Sequence, residues 1–214
     1  MATQEITDSD LELLDAAFAG AWALSRQVRD GAQGEVWFRD VLGGLLDATA
    51  REYRHLRSGL RESTPMLAWA CRNLLELNIR TLWALSSEAN ARHFANDRVA
   101  EGIDIFDSFQ VWAARNDPAL LTPAMTAALN SLVEQRAQQE GAPQRVWTVR
   151  YLAAEAGLAD EYANMNKLCE KLIRPTAFSV LADEGQLAML RPALFRAGAG
   201  HGLEIVQAIK ARAL

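Results

Sequence analysis

Residues 64–87, TPMLAWACRNLLELNIRTLWALSS, decide the fold class of this chain. The stretch predicts a helix with Thr64 as its cap and Pro65 at the first helical position. Leu74, Leu77 and Leu82 crowd one part of its circumference. Arg72, Glu76 and Arg80 recur every four positions and share the opposite face with Trp69, Ile79 and Trp83. A helix apolar on nearly every side is at least partly buried, and ions withdrawn from water cost several kcal/mol each unless they are paired. An Arg-Glu-Arg run in that setting marks either a structural network or a functional site.

The flanking segments carry the same helical spacing. Ser9 followed by Glu12 fits a capping box for a first helix reaching about residue 29, and residues 31–34 interrupt it. A second helix is expected from about 35 to 60. Beyond the quoted stretch, Ser86 or Ser87 restarts the chain into a fourth helix that ends before Asp117-Pro118. Thr122-Pro123 opens a fifth, expected to end near residues 141–143. Shorter helices are expected at about 149–156 and 159–173, and Pro175 forces a turn after Arg174. Residues 198–202, GAGHG, read as a flexible turn before a final helix that starts after Gly202. No alternating apolar run is flanked by turn signals. The expectation is an all-α single domain spanning residues 1–214, an antiparallel up-and-down bundle of four long helices. Its core covers about residues 9–116, with smaller C-terminal helices of about 122–214 packed on it.

Composition bounds the function. With 214 residues, 50% of them hydrophobic, the chain can bury a sizeable core. Lys and Arg number 22 against 27 Asp and Glu, and the net charge of -5 argues against coating nucleic acid by bulk electrostatics. The acidic start MATQEITDSD lacks the pattern of a signal peptide, and no apolar run has the length of a membrane span. A cytoplasmic location without membrane partners is expected. Cys71 and Cys169 lie far apart in apolar helical contexts and read as reduced core residues. The single Glu-x-x-His pair, Glu52 and His55, is too little for a carboxylate-bridged metal site, so no metal and no cofactor are expected. Walker, nucleophile-elbow and Cys-x-x-Cys motifs are absent from the sequence.

Other candidates are weighed by their neighbours. Arg98 projects from an apolar face of the fourth helix formed by Phe94, Val99, Ile103, Ile105, Phe106 and Phe109, and such an arginine wants an acid. Glu76 is the expected partner, which gives Arg72, Glu76, Arg80 and Arg98 one acid among four charges. Leftover guanidinium donors suit a phosphate or carboxylate, whereas acids from elsewhere would make the group a structural network. His93 and Asp97, one turn apart, share a face with Glu101, Asp104 and Asp107 and read as a solvated acidic surface. Arg51, Arg54, Arg57 and Arg61 cluster near a helix C-terminus, where cations complement the helix dipole.

Residues 147–181, together with ARHFANDR at 91–98 and RNLLEL at 72–77, resemble a family of bacterial helical proteins known as a domain of unknown function. That pattern has an Arg-x-x-x-Glu helix, a helix rich in Arg and aromatics, and a Tyr-containing helix ending in Ser-x-x-x-His-Pro-(Ser/Thr). Arg72 and Glu76 match the first motif, Arg98 the second, and Tyr162, Pro175 and Thr176 the third. Glu170 stands where the pattern has Ser, and Arg174 where it has His. The layout is distantly similar to the HEPN nucleotide-binding and ribonuclease bundles. That likeness implies metal-independent RNA cleavage by an arginine and a histidine, and Arg174 cannot replace the histidine as a general base.

The functional expectation is therefore binding of an anionic small molecule, nucleotide or RNA near Arg72, Glu76, Arg98, Tyr162 and Arg174, without assigned catalysis. A HEPN-like ribonuclease of the defence or toxin type is the runner-up. An oligomeric interaction scaffold, with Trp22, Trp37 and Trp112 available for a homo-oligomer interface, is the third reading.

Overall fold

The computed structural model describes residues 6–31, 34–138 and 147–213. They form an all-α protein with no strand among the described residues. The elements are α1 (Asp8–Asp30), α2 (Val36–Glu62), α3 (Thr64–Ser86), α4 (Glu88–Asn116), a 3-10 turn (Pro118–Leu120), α5 (Pro123–Gln138), α6 (Val149–Glu155), α7 (Ala159–Ile173), α8 (Ala177–Leu181), α9 (Glu184–Ala188) and α10 (Arg191–Ala213). No helix among the described residues is long and apolar enough to cross a membrane.

Several helix starts follow side-chain caps, displaced at two places from the sequence expectation, whereas α2 and α7 begin without one. The capping box of α1 is built by Thr7 and Asp10, not Ser9 and Glu12: each side chain accepts from the other's backbone N–H. Ser63 accepts from Met66 N at the start of α3. Thr64 is buried instead, and its hydroxyl accepts from Arg191 Nε at 2.9 Å. Ser87 caps α4, Thr148 caps α6 and Thr176 caps α8. The expected end of the fifth helix near residues 141–143 lies outside the described residues.

The chain divides into two compact units, Met1–Ser86 with Trp147–Leu214, and Ser87–Val146. In the first, α1, α2, α3 and α10 pack as a four-helix bundle. Asp15 meets Tyr53 and Arg57, and Glu52 meets Asn73, so α1, α2 and α3 alternate in direction. Helix α10 differs. Arg191 bonds Thr64 and His201 meets Asn78, so α10 runs parallel to α3 and returns through a long crossover.

Helix α10 corrects the sequence reading most directly, because residues 198–202 are helical and not a turn. A glycine inside a helix costs about 1 kcal/mol relative to alanine, and here close packing offsets that cost. A Cβ on Gly198 would lie 2.8 Å from Leu56 Cδ1 and 3.2 Å from Cys71 Cα. One on Gly202 would lie 2.7 Å from the ring of Phe18. That ring is itself fixed, stacked on Tyr53 at 3.8 Å between centroids. The core of this unit gathers Phe18, Tyr53, Leu56, Leu67, Leu74, Leu194 and Phe195. Helices α6 and α7 cover α3 from the remaining side.

The second unit holds α4 and α5. Gly102 faces Leu132, and Arg98 donates to Gln135, so the two helices are antiparallel. Only Ala91, His93, Val99 and Ala113 of α4 are buried, and no described residue of α5 is. The solvated acidic face expected here needs correction. Glu101, Asp104 and Asp107 are exposed, but His93 is 8% exposed and its Nε2 lies 3.5 Å from Asp97 Oδ1.

Candidate functional site

The Arg-Glu-Arg stripe of α3 meets α7, which runs antiparallel to it: Cys169 approaches Cys71 and Arg72, and Tyr162 lies in the field of Glu76 and Arg80. Arg72 Nε donates to Glu76 Oε1 at 2.9 Å, an i,i+4 pair with both side chains partly exposed. Arg174, at the end of α7, pairs in the same way with Glu170 at 3.0 Å. Both arginines therefore have a carboxylate partner. Arg80 is half-buried and forms neither a salt bridge nor a hydrogen bond among the described residues. Tyr162 is half-buried between these charges. Burial raises its phenol pKa, Glu76 raises it further, and Arg72 and Arg80 pull against them. The phenol thus stays a neutral O–H donor.

Of the expected residues, Arg72, Glu76 and Tyr162 are brought together, with Arg80 added. Arg174 sits on the outer side of α7, bound to Glu170. Arg98 is exposed on α4, where its hydrogen bond goes to Gln135. The arginines of α2 are largely engaged one by one: Arg57 with Asp15, Arg51 with Glu52, and Arg54 over the Trp22 ring at 5.2 Å. Glu52 is buried, accepts from Asn73 Nδ2 at 3.0 Å, and lies 3.4 Å from His55 Nδ1. No group of three metal-ligating side chains is arranged to hold an ion among the described residues.

A second polar cluster escaped the sequence reading. Asn78 is fully buried on α3, where its Nδ2 donates to Glu204 Oε2 at 2.6 Å and lies 3.3 Å from His201 Nδ1. Because a carboxylate accepts only, the amide nitrogen must face Glu204. Nδ1 of His201 can then accept from the same nitrogen, leaving the ring proton on Nε2. That Nε2 lies 3.2 Å from Glu161 Oε1 on α7, but off the line of a hydrogen bond. The cluster joins α3, α7 and α10 and links a buried imidazole to two carboxylates that reach solvent, with side chains 47% and 58% exposed. Its signal in the sequence was the four-residue spacing of Gly198 and Gly202 within an apolar helical pattern, which puts His201 inside a helix interface.

A scan against protein-family profiles, a search of characterised proteins and a search of solved structures each found no match.

Proposed function

We propose that the α3–α7 face binds an anionic group, a phosphate or carboxylate carried by a small molecule, nucleotide or RNA. The observation that carries this reading is Arg80: a half-buried arginine without a counter-ion among the described residues, in the electrostatic reach of the Tyr162 hydroxyl. Across the group, Arg72 and Arg80 face one acid, Glu76, which leaves one positive charge over. A guanidinium presents donors in a fork that fits oxyanions, and a neutral phenol adds one more. Glu76 then orients Arg72 and keeps the site from attracting every anion equally. The reading is binding, with no catalytic role assigned to any side chain of this face.

Titration of the protein with inorganic phosphate, adenosine nucleotides and short single-stranded RNA, followed by thermal shift, tests it. Stabilisation should fall with added salt and be lost in Arg80→Ala. Equal shifts in wild type and Arg80→Ala would remove the site. RNA cleavage that persists in chelator would instead favour the ribonuclease reading.

A further inference from the structure

Cys71 and Cys169 are the two cysteines of the chain, and nearly a hundred intervening residues separate them in sequence. The fold brings them together. Both are fully buried in one apolar cluster, where Cys71 sits on α3 and Cys169 on α7. Both thiols are free, they share one core cluster on helices that pack against each other, and each perturbs the other. Gly198 lets α10 close over the back of Cys71, whose Cα would be 3.2 Å from a Cβ at that position. The contact also makes the two sulfurs unequal. The neighbouring Cys71 and the Arg72 guanidinium and backbone N–H together hold the Cys169 thiol below the usual value despite burial. Cys71 is pushed up by the neighbouring Cys169 and by burial.

We propose that Cys71 and Cys169 form a modification site, a dithiol that hydrogen peroxide converts into a disulfide stapling α7 to α3. The Cys169 thiolate attacks one peroxide oxygen, the O–O bond breaks, and hydroxide leaves and takes up a proton to become water. Cys169 is now a sulfenic acid in contact with Cys71. The Cys71 sulfur attacks the Cys169 sulfur, the S–O bond breaks, and the departing hydroxide takes the Cys71 proton as a second water. Two thiols are oxidised and one peroxide is reduced. Access comes from local opening of α7, which is inexpensive because that helix buries only Cys169 and Leu172. With no third thiol in the chain, Cys71 is the one intramolecular thiol the sulfenic acid can meet. The proposal does not depend on anion binding, although Arg72 takes part in both.

The full chain is exposed to hydrogen peroxide under native conditions, then quenched, alkylated, and read by intact mass and peptide mapping. The expected result is joint loss of both thiols in a monomer, a cross-linked peptide pair containing Cys71 and Cys169, a raised thermal midpoint, and reversal of all three by dithiothreitol. Cys71→Ala should trap Cys169 as a dimedone-reactive sulfenic acid, and Cys169→Ala should leave Cys71 inert. The proposal is overturned if the native protein keeps both thiols at a peroxide dose that links them in urea. It is also overturned if oxidation yields only intermolecular dimers or over-oxidised Cys169. These wild-type readouts decide the matter even where a variant does not fold.

Discussion

The two units are built from the same material and end up differently. In α3, Leu67, Leu74, Leu75 and Ile79 are fully buried. In α4, Ile105 is 66% and Trp112 52% exposed, and α5 buries no described residue at all. Apolar spacing alone does not separate α3 from α4, since both place large apolar side chains at three- and four-residue intervals, Leu, Ile and Trp in the first and Phe, Ile, Val and Trp in the second. What separates them is the number of neighbouring helices. Helix α3 is packed by α2, α6, α7 and α10, and each removes another strip of its surface from water.

The sharpest test of this contrast is a pair of truncations. Phe195→Ala, in the core of the first unit, should cost about 3–5 kcal/mol through lost transfer energy and a residual cavity. Val133→Ala on α5, 50% exposed, should stay within about 0.5 kcal/mol. Chemical denaturation of both variants reads the difference, and similar losses would mean that the second unit carries a core of its own. Next in size is Asn78→Ala, expected to cost about 2 kcal/mol because His201 loses its buried donor while Glu204 returns to water.

The sequence shows the first of these contrasts poorly and local structure well. Thr122-Pro123, Ser87 and Arg174-Pro175 each mark a helix boundary where one occurs, because caps and proline act within a few residues. The face formed by Arg72 and Glu76 was legible for the same reason, as an i,i+4 pair is set by helix geometry. Which helices meet was not legible. Arg98 carried as strong an apolar context as Arg80, yet its partner is Gln135. His201 was hidden because three glycines in five residues predict a break when the packing that excuses them is unseen. The same holds for the two thiols, which nothing local connects.

Those glycines supply a finer test. Gly202→Ala should cost about 1–3 kcal/mol, since its Cβ would meet a Phe18 ring held by Tyr53. Gly200→Ala has nothing within 4 Å and should stabilise the protein by roughly 0.5–1 kcal/mol through helix propensity. Opposite signs two residues apart would be hard to obtain if residues 198–202 were a turn.

The smallest effect concerns acid. Burial raises the Asp47 carboxyl, but hydrogen bonds from Ser25 and Arg29 and the charges of Arg29 and Arg51 outweigh it and hold the group below the usual carboxylate range. The folded protein then binds that proton less readily than the unfolded chain. Its contribution is complete above an unfolded pKa of about 3.9 and disappears as pH falls through the lower folded value. Asp47→Asn breaks the 2.7 Å pair with Arg29 and should cost under about 1 kcal/mol at neutral pH, converging on wild type in strong acid. Denaturation midpoints measured from neutral pH downward check this, and a gap that widens in acid would reverse the assignment.

The parallel run of α10 along α3 has a consequence for how the protein is made. During synthesis at about 5–20 residues per second, the roughly hundred residues between the two helices take on the order of 5–20 s to emerge. Throughout that interval the strip of α3 bearing Cys71, Leu74 and Asn78 lacks the helix that covers it. A nascent chain in this state exposes apolar and reactive groups together. Its yield in the cell should therefore depend on chaperones that hold unfinished helical faces as well as on the stability of the completed fold.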